Sequence, residues 1–193
     1  MPEDVSCLLR EAPCEEVWVH ESRTREFEVF VSEHRERAVG LAWRLLGGDG
    51  AAAEDVAQEA FIRAHRALPG FRGEARLSTW FHRILVNEAR RHQRWRWVRA
   101  RRDATMPDDV EDGWANPPGD PSLRRRIGEA LGELTARQRE AFVLVHLEGF
   151  RVEEAAFITG RATGTLKSHL HRALSALRAK LQDLDPAEEA NPR

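Results

Sequence analysis

Residues 134–181 read LTARQREAFVLVHLEGFRVEEAAFITGRATGTLKSHLHRALSALRAKL and contain three successive helical patterns. The first begins at Thr135, whose hydroxyl can cap a helix while Gln138, three residues later, completes a capping box. Gly149 suits the left-handed conformation that commonly ends a helix. The apolar residues of this first helix repeat with a helical period and predict its packing face: Ala141, Phe142, Leu144, Val145 and Leu147.

Two further helices are predicted in the same stretch. A short one covers about residues 152–159 and ends at Gly160, and Thr163 is predicted to cap a long last helix. A short helix, a turn with glycine and a longer helix form a helix-turn-helix pattern. The predicted packing faces are Ala155, Ala156, Phe157 and Ile158 in the short helix, and Leu166, Leu170, Leu174, Leu177 and Leu181 in the long one.

The polar side of the last helix is a candidate DNA-reading surface. In a helix-turn-helix the second helix lies in the major groove, with its N-terminal residues toward base edges. Residues 161–180 contain five Lys or Arg and no acid. A three-helix core with a merely solvated polar side is the alternative, but such a face usually mixes charge signs, so the pattern favours DNA contact. The outward residues are Thr163, Thr165, Lys167, Ser168, His169, His171 and Arg172.

The composition indicates a folded chain of one or two small domains. Hydrophobic residues make up 41% of the 193 residues and charged residues 32%. No apolar run approaches the length of a membrane-spanning helix, and the N-terminus lacks the pattern of a signal peptide, so we expect a cytoplasmic protein. Cys7 and Cys14 match no common zinc pattern; we expect free thiols, with a disulfide or redox role as the less favoured alternative.

Charge is segregated along the chain, although the net charge is only −2. Residues 76–102 contain nine Arg and one acid, whereas residues 103–122 contain six acids and no base. The distribution matters more than the sum, so we expect only part of the surface to meet DNA.

The N-terminal part predicts a leader followed by two helices. Residues 1–22 show no clear period and are expected to be loosely ordered. Helices are predicted over about residues 23–46 and 51–68, separated by a glycine-rich turn. Their predicted buried stripes are Phe27, Phe30, Val31, His34, Ala38, Leu41, Ala42 and Leu45 in the first, and Val56, Ala60, Phe61, Ala64 and Leu68 in the second.

The second of these helices also has a polar face. Asp55 and Glu59 lie four residues apart, so their carboxylates share one face, beside Gln58. A metal site requires more ligands than this face supplies. Protein docking and plain solvation are both compatible with the pattern.

A short loop and a basic helix follow. The loop is residues 71–76, and the helix is predicted over about residues 78–101. Its second half interleaves Arg with Trp95 and Trp97, which suits phosphate contact plus base stacking. The alternative is a basic helix whose tryptophans cover the core.

Residues 103–122 are predicted to be a flexible linker because acids and prolines predominate. The predicted fold class is therefore all-α, with two small helical domains joined by a flexible acidic linker. We assign residues 1–22 to a leader, 23–102 to the first domain, 123–182 to the helix-turn-helix domain and 183–193 to a tail.

The two domains together resemble the extracytoplasmic-function (ECF) sigma factors of bacterial RNA polymerase. The motifs are AEDVAQEAFIRAHRAL and GFRGEARLSTWFHRILVNEARRHQR in the first domain, then LTARQREAFVLVHLEGF and GTLKSHLHRALSALRAKL in the second. A lone helix-turn-helix would be weak support, but two different motifs in this order are specific.

The resemblance implies roles for individual residues. Asp55, Gln58 and Glu59 match the sigma region 2 helix that docks on core RNA polymerase. The residues that match the unit for −10 recognition and melting, where the loop captures a flipped base, are Phe71, Arg72, Gly73, Arg76, Thr79, Trp80, Arg83, Asn87, Arg90 and Arg91. Residues 163–172 match the sigma region 4 helix that reads the −35 element.

The resemblance also implies the partners. They are core RNA polymerase, promoter DNA and a separate anti-sigma factor, which in this family is often membrane-bound. No cofactor, metal, small-molecule substrate or enzymatic activity is expected. His169 stands where the family usually has Arg, so a permanent charge is replaced by a titrating one. The alternative is a stand-alone helix-turn-helix regulator, which would leave the first domain unexplained.

Overall fold

The computed structural model describes residues 14–102 and 120–181, with side chains for residues 24–99, 101 and 120–180. Within these ranges the chain is all-α, as predicted, and forms no β-strand. The helices are α1 (Cys14–Leu46), α2 (Gly50–Ala67), α3 (Leu77–Arg102), α4 (Pro121–Glu133), α5 (Ala136–Phe142), α6 (Val152–Thr159) and α7 (Thr163–Leu181). A 3-10 turn, Leu68–Gly70, follows α2, and a π-helical turn, Val143–Leu147, follows α5.

The first three helices pack around an aromatic centre. Phe81 is buried and lies 4.4 Å from Phe61 and 5.3 Å from Phe30, measured between ring centroids. The face of α2 toward the core is rich in alanine, and these small side chains let α1 and α2 approach closely. The buried residues of α2 include Ala52, Ala53, Val56, Ala57, Ala60 and Ala64.

The predicted stripe of α1 is confirmed, since each of its residues is buried or half-buried. His34 is a core histidine, with Nδ1 3.0 Å from the Phe30 carbonyl and its ring 4.1 Å from the Phe30 ring. The helix itself begins at Cys14, earlier than the start near residue 23 that the sequence predicts. The expectation of a loosely ordered leader therefore applies only to residues 1–13, which lie outside the described residues.

Helix α4 precedes residues 134–181 and was not predicted from the sequence. Asp120 caps it by accepting a hydrogen bond from the Ser122 amide at 2.9 Å, and Pro121 occupies its first turn. Pro121 and Ser122 are therefore helical rather than linker. The rest of the predicted linker, residues 103–119, lies outside the described residues, as does the tail.

The helix-turn-helix prediction is confirmed in the order of its helices. The Thr135–Gln138 capping box is present, and Gly149 and Gly160 both adopt left-handed conformations, at φ +75° and +66°. Helix α6 has the predicted bounds. Thr163, however, is the first residue of α7 rather than its cap, because the Ala162 carbonyl already accepts from the Leu166 amide.

Two predicted core residues of this unit are exposed. Leu147 is 42% exposed, because the π-helical turn shifts the phase of the helix and Val143 takes the buried position. Phe157 is 48% exposed on α6, and its ring receives the guanidinium of Arg83 at 5.2 Å. That contact joins the two helical units. The periodicity of apolar residues within one helix cannot predict such a contact.

The two units pack directly on each other. Helix α1 contacts α4 and α5, and α3 contacts α6. The partners in these contacts lie far apart in sequence, so they were not predicted.

Candidate nucleic-acid and protein interfaces

The polar face of α2 borders a groove against α3. Asp55 and Glu59 line it from α2, and Glu88, Arg91, His92 and Trp95 line it from α3. The groove has a volume of about 330 Å³ and includes Val56 in its lining. Gln58, the third predicted residue of this face, is exposed on the same helix. The structure therefore presents the predicted carboxylates beside apolar surface rather than in plain solvent.

The acids of this groove are partly neutralised by arginine. Arg63 Nε lies 3.0 Å from both Glu59 Oε1 and Glu88 Oε1, and Arg91 Nη1 lies 3.4 Å from Glu88 Oε2. Burial raises the pKa of the Glu88 carboxyl, and the Arg63 charge opposes that rise. Asp55 remains exposed and is the predicted carboxylate that can most readily meet a basic partner.

His92 was not predicted as part of this surface. Burial lowers the pKa of its imidazole, with the Arg96 charge acting in the same direction. Its Nδ1 is buried and has no hydrogen-bond partner within the described chain. His92 lies about four turns into α3. The helical period could have predicted which face of α3 it occupies, but not that this face packs against α2.

The loop of residues 71–76 is largely exposed. Phe71 packs on Trp80 with ring centroids 4.9 Å apart, and both side chains are half-buried. Gly73 has φ +72°, a conformation that favours glycine, and the space around it is open. Arg72 and Arg76 are exposed on either side of it. This arrangement leaves two cations and an aromatic pair along one short loop.

Helix α3 distributes its predicted DNA-binding residues over more than one face. Thr79 is half-buried near the loop, and Asn87 is exposed. Arg91 lies in the groove with Asp55 and Glu59 instead of with the other predicted residues. Arg83 contacts Phe157, and Arg90 forms ion pairs with Glu140, so both meet the second helical unit.

The C-terminal turns of α3 expose large aromatic side chains. Trp95 and Trp97 are 56% and 57% exposed, and the guanidiniums of Arg99 and Arg101 lie over them at 5.1 and 3.7 Å. The interpretation that these tryptophans cover the core is therefore wrong. Exposed aromatic faces beside cations suit nucleic-acid contact.

The first turns of α7 form the second basic surface. Thr163, Thr165, Lys167, Ser168, His171 and Arg172 are all exposed. Lys167, Ser168, His171 and Arg172 line an open groove of about 390 Å³. The Ser168 hydroxyl donates to the Gly164 carbonyl at 3.1 Å, which occupies its proton within the helix.

His169 is half-buried among cations. Desolvation lowers the pKa of its imidazole first, and the charges of Arg161, Arg137 and Arg172 lower it further. Near neutral pH the ring is therefore mostly uncharged. Arg137 and Arg161 belong to this surface and were not predicted, since they come from α5 and from the turn before α7.

Within the described ranges no group of three or more His, Cys, Asp or Glu is arranged to hold a metal ion. Among the described helices none is both long and apolar enough to cross a bilayer.

Two family models match the chain: sigma-70 region 2 over residues 30–99, and sigma-70 region 4 over residues 124–177. The chain is 32% identical to the RNA polymerase sigma-H factor of Pseudomonas aeruginosa, over 83% of this chain and 88% of that protein. It is 33% identical to the ECF RNA polymerase sigma-E factor of Escherichia coli K12, over 86% and 92% of the two chains.

Two solved structures resemble the whole arrangement. The sigma factor RpoE in complex with the anti-sigma factor NepR, from Bartonella quintana, gives a TM-score of 0.70 at 28% identity, over 83% of this chain and 99% of that chain. CnrH in complex with the cytosolic domain of CnrY gives 0.63 at 26% identity, over 88% and 96%. Matches of this extent include both helical units.

Proposed function

Because this chain belongs to the ECF sigma factors of bacterial RNA polymerase, we propose that its three polar surfaces divide the work of promoter-directed initiation. It binds core RNA polymerase and directs transcription from its promoters. The observation that supports the division is that the α2–α3 groove, the loop of residues 71–76 and the first turns of α7 are separate exposed surfaces on one scaffold. We assign residues 23–102 to the region 2 unit and 123–182 to the region 4 unit.

The α2–α3 groove is the core-docking surface in this proposal. Asp55 and Glu59 present carboxylates in the groove with exposed Trp95, and Gln58 presents an amide on the exposed side of the same helix. Interfaces combine an apolar anchor with polar groups that set orientation, and this groove supplies both.

The loop of residues 71–76 and the following turns of α3 are proposed to recognise and melt the −10 element. Phe71 and Trp80 provide aromatic surface for an unstacked base, while Arg72 and Arg76 can hold the flanking phosphates. Asn87 extends this polar surface along α3. Arg83, Arg90 and Arg91 are assigned to −10 recognition by the family match, although Arg83 and Arg90 contact the second helical unit here and Arg91 lines the α2–α3 groove.

The first turns of α7 are proposed to read the −35 element in the major groove. Lys167 and Arg172 are exposed on the groove-forming side of the helix, and no acid lies between residues 161 and 180. Thr163, Thr165, Ser168, His169 and His171 complete this surface.

An anti-sigma factor, often membrane-bound in this family, is the proposed regulatory partner. The similar RpoE structure contains the anti-sigma factor NepR. The chain itself is proposed to act in the cytoplasm, where polymerase works. It carries no enzymatic activity of its own in this proposal, because the polymerase performs the chemistry.

Reconstituted transcription tests the assignment of the −10 loop. A different loop is transplanted over residues 71–76, and a library with a randomised −10 element is transcribed with core polymerase. We expect a changed −10 preference with unchanged −35 preference and core affinity. Full activity with the original preference would place recognition elsewhere on α3.

A second experiment separates a sigma factor from a stand-alone regulator. Specific promoter binding should require core polymerase, whereas a simple regulator binds its duplex tightly alone. Lys167→Ala and Arg172→Ala should each flatten the salt dependence of −35 binding by about one unit per lost phosphate contact.

A further inference from the structure

The α2–α3 groove holds two carboxylates that are already neutralised and one that is not. Arg63 Nε lies 3.0 Å from both Glu59 and Glu88. Arg91 Nη1 lies 3.4 Å from Glu88 and 3.9 Å from Glu59. Asp55 is exposed and forms no ion pair or hydrogen bond with any residue that the structure describes. Two guanidiniums therefore balance two carboxylates, and Asp55 leaves the groove with one surplus negative charge.

Trp95 gives the same groove an aromatic wall. Its side chain is 56% exposed and lines the groove. The guanidinium of Arg99 lies 5.1 Å from the ring centroid, so this indole already attracts one cation. Arg99 itself does not line the groove. Because indole attracts cations more strongly than the other aromatic side chains do, Trp95 favours a cationic ligand in the groove.

His92 adds a neutral hydrogen-bonding group. Neither ring nitrogen bonds to another residue in the described part of the chain, and Nδ1 is enclosed by protein, which leaves Nε2 as the nitrogen that a bound group can reach. Burial lowers the pKa of the imidazole, and the Arg96 charge acts in the same direction. The ring is therefore mainly uncharged near neutral pH and does not repel a cation. A neutral imidazole with its proton on Nδ1 accepts a hydrogen bond at Nε2.

An arginine side chain matches all three features of the groove. Its planar guanidinium can bind the Asp55 carboxylate, stack on Trp95 and still donate a hydrogen bond to His92. A lysine ammonium is a compact point charge, so it cannot combine stacking with a bidentate carboxylate contact. The groove volume of about 330 Å³ is at the lower end of the range for ligand pockets, which suits a single long side chain.

We propose that Asp55, His92 and Trp95 form a pocket for one arginine side chain of core RNA polymerase. This inference rests on the proposed function of the α2–α3 groove. It extends the docking surface from α2 to α3 and makes His92 and Trp95 specificity-determining residues of docking. The competing arrangement is a docking contact that α2 makes alone, with His92 and Trp95 outside it.

The affinity of labelled variants for core polymerase, measured without DNA, tests the aromatic wall. Trp95→Ala should bind about tenfold more weakly, as loss of an aromatic anchor does, and Trp95→Phe should recover part of that loss because it keeps a ring. Trp97→Ala is the matched control. Trp97 is 57% exposed and also carries a guanidinium, that of Arg101, but it does not line the groove, so its loss should leave core affinity unchanged.

His92→Phe tests the imidazole, because phenylalanine keeps a ring of similar shape and removes both nitrogens. We expect core affinity to fall about fivefold, as loss of one hydrogen bond does, while the free energy of unfolding stays the same or rises, since an enclosed polar atom without a partner is removed. His92→Gln keeps a neutral hydrogen-bonding group and should recover part of the affinity. A loss of stability with unchanged core affinity would show that His92 is only structural.

Asp55→Asn measures whether the three residues act on one group. Combined with Trp95→Ala, it should weaken core binding by much less than the product of the two single losses, because both changes remove contacts with the same guanidinium. If Asp55→Asn weakens binding but Trp95→Ala and His92→Phe do not, the docking role of α2 stands and the pocket is wrong. If none of the three changes weakens binding, the proposed docking surface fails as well.

Cross-linking identifies the bound side chain. A photo-reactive p-benzoylphenylalanine in place of Trp95 keeps an aromatic ring there, and we expect it to label a polymerase peptide that contains an arginine. Replacing that arginine by lysine should weaken binding of the wild-type chain about tenfold, and binding of the Trp95→Ala variant much less. A labelled peptide without arginine would overturn the proposal, as would equal losses for the two chains.

Discussion

Two glycines with the same backbone conformation have very different surroundings. Gly47 and Gly73 both have φ +72°, but a Cβ at Gly47 would lie 2.8 Å from Arg139 Nη1 and 2.9 Å from Gly132 Cα, whereas nothing lies within 4 Å at Gly73. Alanine costs about 1–2 kcal/mol at either position for the left-handed conformation. At Gly47 it also forces α4 away from the end of α1.

We therefore predict that Gly47→Ala lowers the free energy of unfolding by about 1–3 kcal/mol more than Gly73→Ala does, as overpacking typically costs. Urea denaturation of the two variants measures the difference. Equal losses would mean that the turn at Gly47 does not press on region 4 in solution.

His169 is a titrating residue on the proposed −35 surface, and its surroundings lower its pKa. The pKa of the His169 imidazole is lowered from its ordinary value of 6.5. The ring is therefore mainly neutral above pH 6.5 and becomes protonated as the pH falls below 6.5. His169→Arg supplies a permanent charge where the family usually has one. We predict tighter −35 DNA binding at low salt and a salt slope steeper by about one unit, measured by titration at pH 7.5 or so.

Ala179→Arg serves as the control, since it adds the same charge at an exposed position further along α7. If the Ala179→Arg control gains a similar amount of −35 DNA affinity, the effect of His169→Arg is due to the added net charge. The wild-type chain should also bind −35 DNA more tightly as pH falls through the range below 6.5, and the His169→Arg variant should lack that increment.

At the scale of the helix, the docking face of α2 is separable from its packing face. The core side is formed by alanines and Val56, while Asp55 and Gln58 are exposed. We predict that Asp55→Arg with Gln58→Ala weakens core polymerase binding by about tenfold or more, as loss of an interface charge pair does. The circular dichroism spectrum should not change, because neither side chain is in the core.

Glu28→Arg on α1 is the control for this variant. Its side chain is exposed and lies outside the groove residues, so reversing its charge should leave polymerase affinity unchanged. Normal binding by the Asp55, Gln58 double variant in a pull-down would show that the α2–α3 groove faces something else.

At the scale of the whole molecule, residues 103–119 connect the two helical units. The acids of this linker are expected to lie in the nucleic-acid cleft of polymerase, where they would mimic DNA charge. The structure limits the replaceable part to residues 103–119, because Asp120 caps α4. A neutral Gly/Ser segment of equal length preserves reach.

We predict that this replacement reduces early initiation, measured as abortive and full-length transcripts, while core binding stays close to normal. A second segment with the acids kept and the prolines changed to serine separates charge from stiffness. If the neutral segment supports full initiation, the linker acts only as a spacer.

The amino-acid sequence by itself determined what is local in this protein. Helical periods, the Thr135 capping box and left-handed glycines depend on neighbouring residues, so the all-α class and the helix-turn-helix could be predicted. The two motifs in order also indicated the family. Six of the seven outward residues predicted on α7 are exposed because an amphipathic helix turns its polar face outward, whereas His169 is half-buried.

Tertiary structure alone decided how the units meet. Arg139 and Glu140 look like surface residues of a capped helix, but both are buried. Arg139 donates to the nearby Leu131, Gly132 and Leu134 carbonyls and also to the distant Leu45 carbonyl of α1, and Glu140 pairs with Arg90 of α3. The exposure of Phe157 and the crowding at Gly47 have the same origin. The spacing of apolar residues in the sequence predicts which face of a helix is buried. Which helix packs against that face depends on how the two units of the chain come together.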